Sequence, residues 1–464
     1  MAVDALFQVA RTDWGWDSLG GVCRRGGGDI QTGPFGSQLH ASDYVPFGIP
    51  SIMPQNISQA RVSTEGIARI SPTDARRLSR YLLKTGDIVY SRRGDAERRA
   101  LITERENGWL CGTGCLRVRF GDGIVVPQFA LYCLSHPASR EWVVRHAVGA
   151  TMPNLNTSIL GALPFLLPPL PDQLAIAEVL GTLDDKIESN RRTSRTLERV
   201  ARAIFRAWFV DFEPVKAKAA GGRSFPGMPQ EAFAALPTRF VESELGPVPE
   251  GWRVLPLDEA VEVNPPRRLA KGVPAPYLDM GQMPTDGHAP RSWVEREAGS
   301  GARFMNGDTL VARITPCLEN GKTAYVDFLG EAQVGWGSTE YIVLRPKPPI
   351  PNLYAYLLAR TPEFRAFAIQ KMTGSSGRQR VPFDTMGKFN VAIGPAPVMQ
   401  VFGEAVEPLF SRSSASFRES RSLAALRDYL LPKLLRGEVR VAADSVCAIL
   451  EPAAAARERR PGHE

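Results

Sequence analysis

An internal duplication is the feature of this sequence that most constrains its fold. Three markers occur in the same order in each half of the 464-residue chain: a Gly-Trp pair, a Gly-Asp turn entering an apolar run that ends in arginine, and a Pro-x-Pro triplet. They fall at Gly15 and Gly251, at 86–92 and 307–313, and at 169–171 and 395–397. Corresponding markers lie about 220 to 240 residues apart, which indicates one architecture present twice, with insertions and deletions between the shared points.

A heptad pattern follows each Pro-x-Pro triplet. Apolar residues recur there in steps of four and three, the spacing typical of helices that pack on each other as a coiled coil. The predicted helix–helix seam consists of Ile176, Leu180, Leu183, Ile187, Leu197, Ile204, Trp208, Phe402, Val406, Leu409, Leu423, Leu430 and Leu434. Both seams become polar in the middle, at Asn190 and Ser194 and at Ser413, Ser416 and Ser420. The shared polar layer predicts that the two helices pair; the alternative is two unrelated helices, each covering its own domain.

The first heptad segment is long. At about 1.5 Å per residue, a helix from Gln173 to Trp208 would measure roughly 54 Å. A rod of that length cannot be enclosed by one small domain, so the sequence predicts that it holds two domains apart. Pro408 lies inside the second pattern, and because proline lacks an amide donor we expect a kink or a delayed start of that helix.

The regions outside the helices are short apolar runs broken by Gly, Pro, Asn and Asp, which is typical of mixed domains. The predicted fold class is α/β (α+β), with two similar globular domains separated by two long antiparallel coiled-coil helices. The predicted segments are a globular domain at 1–171, a central spacer helix at 172–212, a Gly- and Pro-rich linker at 213–245, a second globular domain at 246–397, a C-terminal spacer helix at 398–440 and a disordered tail at 441–464.

Charge and cysteine content narrow the class of protein. The formal charge is +7, an excess that permits a polyanionic partner without establishing one. No segment reaches the ~18 apolar residues of a membrane span, and the N-terminus lacks a signal-peptide pattern. The 6 cysteines are sparse, so we expect a cytoplasmic protein. A zinc site at Cys111, Cys115, Cys133 and His136 is disfavoured because Cys-x-x-Cys spacing is missing, and buried small side chains are favoured.

Two strings resemble catalytic motifs, and each is incomplete. Asn264-Pro265-Pro266 is followed by Arg267 where amino-methyltransferases have an aromatic residue. Gly321-Lys322-Thr323 lacks the upstream glycine of a phosphate-binding loop, because Pro316 occupies that position. We therefore expect no catalytic residue, no metal ligand and no cofactor bound by this chain.

Two basic segments fall where loops are predicted, at 92–99 and at 371–380. Arg, Gln and Asn can bind base edges through paired hydrogen bonds, whereas Lys, Arg and Ser suit phosphates. The candidate DNA-binding residues are Arg92, Arg93, Arg98, Arg99, Asn154, Lys371, Ser375, Arg378, Gln379 and Arg380. The alternative is a pair of ordinary solvated loops, and the acids interleaved in the first segment favour that alternative there.

Strings in both halves are similar to those of a known family. They are Thr32–Leu39, Asp43-Tyr44 with Gly48–Pro50, Leu167–Gln173, Gly335–Glu340 and Leu430–Gly437. Their order, duplicated about two long helices, resembles the specificity (S) subunit of Type I restriction-modification systems, and nearly the whole chain takes part. The family usually has Glu where this chain has Asp172, and Gly403 and Pro408 make the second helix start less regular than the first.

The resemblance implies a non-catalytic reader of double-stranded DNA, with target-recognition domains at 1–171 and 246–397 that each bind half of a bipartite sequence. Implied partners are modification (methyltransferase) subunits, expected to number two, with S-adenosylmethionine for adenine methylation. Restriction (helicase-nuclease) subunits, also two, would bring ATP and Mg for translocation and cleavage. The alternatives are a targeting subunit of a methylation-only or other phage-defence complex, a single-chain DNA methyltransferase or nuclease, and a scaffold that binds only proteins.

Overall fold

A computed structural model describes residues 13–58, 60–148, 154–375 and 377–440 of the chain. The tail predicted at 441–464 lies outside the described residues, as do the first twelve residues of the first predicted domain. The chain divides into two compact units, one formed by Met1–Lys186 with Leu423–Glu464 and the other by Ile187–Ser422.

The first unit contains eleven labelled strands and the start of a long helix within the described residues. The strands are β1 (Gly15–Ser18), β2 (Gly27–Thr32), β3 (Tyr44–Ile52), β4 (Ile57–Ser58), β5 (Arg61–Val62), β6 (Ala68–Ile70), β7 (Ile88–Ser91), β8 (Arg99–Leu101), β9 (Leu110–Cys111), β10 (Cys115–Gly121) and β11 (Pro164–Leu167). The helices are α1 (Leu19–Arg25), α2 (Pro72–Arg77), α3 (Pro127–Ser135), α4 (Pro137–His146), α5 (Thr157–Ala162) and α6 (Leu170–Phe209).

The second unit has a similar list of elements. Its strands are β12 (Phe240–Val241), β13 (Val248–Pro249), β14 (Arg253–Pro256), β15 (Val261–Val263), β16 (Pro274–Leu278), β17 (Val294–Glu297), β18 (Arg303–Phe304), β19 (Thr309–Ala312), β20 (Thr323–Tyr325), β21 (Gly335–Gly337), β22 (Tyr341–Pro346) and β23 (Asn390–Ile393). The helices that follow α6 are α7 (Glu213–Ala219), α8 (Gln230–Ala235), α9 (Leu257–Ala260), α10 (Asn352–Ala359), α11 (Pro362–Gln370), α12 (Phe383–Met386) and α13 (Ala396–Leu435).

The sheets of the two units have matching strand orders. The first unit has a sheet of order β2-β10-β7-β8, and the second has β15-β22-β19-β20. A second sheet, β6-β3-β9 in one unit and β17-β16-β21-β18 in the other, has a parallel pair at the same place, β3 with β9 and β16 with β21. In the first unit β1 pairs with the last strand, β11, and in the second unit β14 pairs with the last strand, β23. The duplicated architecture predicted from the markers and the mixed α/β fold class predicted from the short apolar runs are therefore confirmed.

The apolar runs that follow the Gly-Asp turns form the most buried strands of their sheets. Strands β7 and β19 are buried at every position, as expected of short continuous apolar runs rather than alternating ones. In the first unit the core packs β7 and its sheet against α1, α3 and the start of α6. In the second unit the main core joins the sheet to α10, α6 and α13. Each Gly-Asp run is thus held rigidly at the centre of its unit.

The helices α6 and α13 each span 40 residues. Within the second unit they run antiparallel: the side-chain amide of Asn190 donates to Glu419 at 2.8 Å, and the Ser194 hydroxyl donates to the Ser413 carbonyl at 3.4 Å. Within the first unit Arg427 on α13 donates to Asp184 on α6 at 2.7 Å. The middle of the helix pair is therefore polar and hydrogen-bonded, as the sequence pattern predicts.

The predicted seam residues are buried or half-buried in their units. Leu183, Leu197, Ile204, Leu409, Leu423 and Leu430 are half-buried, and the other seven are buried. Aromatic side chains that the heptad count omits add to the contact, because the Phe402 ring lies 4.8 Å from that of Phe209 and 6.0 Å from that of Phe205. The contact between the helices is thus wider than a two-residue seam.

Two expectations about boundaries differ from the structure. The delayed start of the second helix is wrong, since α13 begins at Ala396 and continues through Pro408; Pro408 is exposed, so water can satisfy the carbonyl that its missing amide leaves unpaired. The segment predicted as a linker, 213–245, contains α7 and α8. Its apolar residues Val215, Phe233 and Leu236 are buried in the core of the second unit, so the segment is anchored by packing despite its Gly and Pro content.

Candidate nucleic-acid interface

The Gly-Asp turn of each unit is built in the same way. The turn glycines, Gly86 and Gly307, both have φ of 89°, a backbone conformation that favours glycine. The aspartate that follows folds back on its own turn: Asp87 accepts the Lys84 amide at 2.7 Å, and Asp308 accepts an amide three residues earlier at the same distance. The motif found in the sequence is therefore a turn that starts the central strand.

Half-buried arginines neutralise these aspartates. Asp87 is 2% exposed and accepts two hydrogen bonds from Arg119 on β10, at 2.7 and 2.6 Å. Asp308 is fully buried and contacts Arg345 on β22 at 2.6 Å and Arg267 at 3.0 Å. Because a buried carboxylate is costly without such partners, these arginines are structural. Sequence reasoning missed them, since the partner lies on a neighbouring strand far along the chain.

Arg92 and Arg93 directly follow the central strand β7 of the first unit and lie at the end of its sheet. The Arg92 amide donates to the Gly114 carbonyl at 2.7 Å, and its own carbonyl accepts the Leu155 amide at 2.8 Å. Arg93 forms an isolated bridge with Asn154. The structure thus brings together three candidates, Arg92, Arg93 and Asn154, that are separated by some sixty residues in the sequence. We call this position the strand-end site of the first unit.

The second unit has the equivalent strand-end site after β19. The Arg313 amide donates to the Glu340 carbonyl at 3.0 Å, and the Arg313 carbonyl accepts the Val381 amide at 2.9 Å. Arg380 is bridged to Thr373 across its loop. The backbone pattern is the one seen at Arg92, so the candidate Arg380 takes the place of Asn154. Arg313 was not among the candidates, although it ends the marker run as Arg92 does.

The remaining candidates of the first segment lie beside a cavity. Arg98 pairs with Asp95 at 2.7 Å, and Arg99 donates to the Glu97 carbonyl at 2.7 Å. Both line a cavity of about 320 Å³ together with Arg140. Burial lowers the pKa of Arg99, but an arginine remains charged at neutral pH. Asp95 thus engages Arg98, as the solvated-loop alternative expects, whereas the Glu97 carboxylate pairs with Arg140 outside the segment.

The remaining candidates of the second segment lie on its loop. Lys371, Ser375 and Arg378 are exposed, and the Lys371 ammonium lies 5.8 Å from the centre of the Phe367 ring. The Gln379 carbonyl accepts the Thr315 amide at 3.0 Å, which ties the loop to the chain that follows β19. These side chains extend from a loop whose base is fixed at the strand-end site.

An exposed phenylalanine stands beside each strand-end arginine. The Arg92 guanidinium lies 5.8 Å from the centre of the Phe35 ring, and that of Arg313 lies 3.8 Å from the Phe383 ring. Phe35 is 52% exposed and Phe383 41%. Burial lowers the pKa of Arg313, and the nearby positive charge of Arg380 lowers it further. Charged forks held by a sheet end and an aromatic face suit nucleic-acid recognition.

The incomplete catalytic motifs have structural roles. The Asn264 side chain accepts a hydrogen bond from the Val343 amide at 2.9 Å, and the Lys322 ammonium donates to the Met280 carbonyl at 2.7 Å.

The cysteines considered as zinc ligands are buried. Cys111 and Cys133 lie in the interior, and burial raises the pKa of Cys111 to about 12, so its thiol is protonated at neutral pH. Within the described ranges no group of acidic, His and Cys side chains could hold a metal ion, and no helix could cross a membrane.

Known proteins are similar to this chain in sequence. Residues 18–199 match the family described as the Type I restriction modification DNA specificity domain. The chain is 23% identical over 406 residues to the Type I restriction enzyme HindI specificity subunit of Haemophilus influenzae, a match that covers 77% of this chain and 87% of that protein. It is 24% identical over 415 residues to the MjaIX specificity subunit of Methanocaldococcus jannaschii, covering 85% and 87%.

A solved structure has a similar fold. The S subunit of the Type I restriction-modification system from M. genitalium superposes with a TM-score of 0.55 at 16% identity, over 92% of this chain and 96% of that one. The matched domain and the duplicated architecture are those expected of a DNA-specificity protein of restriction-modification systems. Over most of its length the chain is similar to specificity subunits of the type I class, in agreement with the resemblance carried by its motifs.

Proposed function

We propose that the chain reads a bipartite double-stranded DNA target, one half-site with each unit, and directs adenine methylation or cleavage by partner subunits. The observation that carries this proposal is the strand-end site, which occurs twice on one backbone plan with different side chains. Arg92, Arg93 and Asn154 occupy it in the first unit, and Arg313 and Arg380 in the second. One framework with different polar side chains suits two different half-sites.

The physical basis of reading combines two kinds of contact. Exposed cations such as Lys371 and Arg378 suit phosphates, and each phosphate neutralised lowers the logarithm of affinity by roughly 0.9 per tenfold rise in salt. The side chains fixed at the strand-end sites suit base edges, where a good bidentate pair contributes about 1–3 kcal/mol of discrimination. Affinity and sequence choice therefore rest on different residues of the same loops.

The chemistry belongs to partner subunits in this proposal. The chain itself is non-catalytic and binds no cofactor; modification subunits, two per complex, bring S-adenosylmethionine, and restriction subunits, also two, bring ATP and Mg. The incomplete motifs at 264–267 and 316–323 support the absence of catalysis, because their polar atoms are engaged in backbone contacts. The complex acts in the cytoplasm, where the host DNA is accessible.

Mapping methylated adenines in the host genome, with and without this gene, tests the proposal. We expect a two-part motif with a fixed spacer to be methylated only when the gene is present, and its loss to be restored by the wild-type gene. The decisive contrary result is an unchanged set of methylated adenines after deletion. Methylation or cleavage of DNA by the purified chain alone would contradict its non-catalytic role.

A further inference from the structure

The two strand-end sites differ in charge at one position. The carbonyl that accepts the strand-end amide comes from Gly114 in the first unit and from Glu340 in the second. The glycine adds nothing to the first site beyond its backbone, whereas Glu340 adds a carboxylate to the second. Gly114 and Glu340 therefore have the same backbone role, and the two sites differ by the carboxylate that Glu340 adds to the second one.

The Glu340 carboxylate holds two guanidinium groups. One oxygen accepts the Arg380 Nε at 2.8 Å, and the other lies 3.6 Å from the Arg313 Nε. The three side chains are 22%, 41% and 14% exposed in the order Glu340, Arg380, Arg313. One carboxylate balances only one of the two positive charges. The cluster therefore keeps a net positive charge at the edge of the unit, with Arg380 as its most exposed member.

The contacts also fix the orientation of Arg380. Its backbone is bridged to Thr373 and Ile314, and its Nε is occupied by Glu340, so the edge that carries the two terminal nitrogens is the one left to face a ligand. One of those nitrogens contacts the Arg378 carbonyl at 3.2 Å. A fork whose orientation is already set loses less conformational entropy on binding, and a planar fork matches the O6 and N7 acceptors of guanine.

The carboxylate decides between a base and a phosphate. A phosphodiester placed on Arg380 would come close to the negative charge of Glu340, and like charges at short range repel. A guanine edge is neutral and carries no such penalty. The Glu340 carboxylate thus favours a contact between Arg380 and a base and disfavours a contact between Arg380 and a phosphate. Specificity of this kind depends on weakening the competing contact as well as on strengthening the chosen one.

We propose that Arg380, positioned by Glu340, contacts a guanine in the half-site read by the second unit. The proposal rests on the proposed function and names what one part of that site reads. Arg380 is the contacting residue, Glu340 is a positioning residue, and Arg313 supports the carboxylate from its place against Phe383. The same contact is not expected in the first unit, where Gly114 supplies no carboxylate.

The test uses the complete complex with its modification subunits and the variants Arg380→Lys, which keeps the charge but not the fork, and Glu340→Gln. Glu250→Gln is the matched control, because Glu250 forms an exposed ion pair with Arg239 at 3.0 Å in the same unit. Methylated motifs are mapped in cells, and binding is measured on targets in which each guanine of the half-site is replaced in turn by 7-deazaguanine, which lacks the N7 acceptor.

Wild-type complex should discriminate against 7-deazaguanine at one position of one half-site by about 5- to 150-fold. Arg380→Lys should abolish that discrimination and relax the motif there, Glu340→Gln should reduce it, and Glu250→Gln should match wild type. Unchanged reading of the other half-site reports that each variant is folded. Equal weakening on all sequences, as a phosphate contact gives, would overturn the proposal, and so would an unchanged motif in Arg380→Lys. Failure of the proposed function itself is distinct, because wild type would then show no gene-dependent motif.

Discussion

At the residue scale, a buried histidine makes the stability of the first unit depend on pH. His136 is 6% exposed, and its Nδ1 accepts the Ala138 amide at 3.2 Å at the start of α4. Burial, with the nearby charge of Arg436, lowers the pKa of His136 to about 4. The unfolded chain takes up a proton near pH 6.5 whereas the folded one does not, so stability is present above pH 6.5 and falls as the pH drops towards 4.

The variant His136→Asn should reduce this acid sensitivity. Asparagine can cap the same helix start but does not titrate, so the variant should lose roughly 2 kcal/mol less free energy of unfolding between pH 7 and pH 5 than wild type does. Urea unfolding at the two pH values measures the difference. His40→Asn, at an exposed position, is the control and should behave as wild type. An acid sensitivity equal in His136→Asn and wild type would contradict the assignment.

At the element scale, the polar residues in the middle of the helix pair fix the alignment of α6 with α13 and lower the stability of the pair. Asn190 is 5% exposed and donates to Glu419, which is itself exposed. A buried polar residue at a coiled-coil seam fixes alignment at a cost in stability. Asn190→Leu should therefore raise the free energy of unfolding by about 1 kcal/mol, since Glu419 can be solvated when its partner is removed.

Chemical denaturation of the full chain measures that gain. Ser189→Leu, one residue earlier and exposed, is the control and should give no increase, because its side chain does not enter the seam. A loss of stability in Asn190→Leu comparable to the removal of a buried hydrogen bond would show that the polar contact stabilises the helix pair and that its role in register is secondary.

Local patterns predict the elements well where one physical cause dominates. The Gly-Asp turns and the heptads are visible because turn geometry and helix periodicity act over a few residues, and the resulting β7, β19, α6 and α13 follow from them. Contacts between distant segments are not encoded locally. Arg119 and Arg345 are chosen by strand pairing, Phe205 joins the helix contact from outside the heptad count, and Glu340 meets Arg380 only after the loop folds back. The order of 213–245 depends on a few buried apolar side chains within a Gly- and Pro-rich segment.

At the scale of the whole molecule, the length of the helices should set the spacer between the half-sites. Each seven-residue deletion shortens a helix by about 10 Å, which corresponds to roughly three base pairs at about 3.4 Å each. Removing 181–187 from α6 and 421–427 from α13 keeps the heptad order of both helices. It also removes Asp184 together with its partner Arg427, so neither charge of that pair is left alone.

The doubly deleted chain, expressed with its modification subunits, should methylate a motif with unchanged half-sites and a spacer about three base pairs shorter. Deletion from only one helix is the matched control. It puts the two polar layers out of alignment, so it should abolish methylation at a defined motif rather than change the length of the spacer. We expect unchanged half-sites because they depend on the strand-end sites, which the deletions do not touch, whereas the spacer depends on the length of the helices. A double deletion that methylates sites with the original spacer would show that something other than helix length determines the distance.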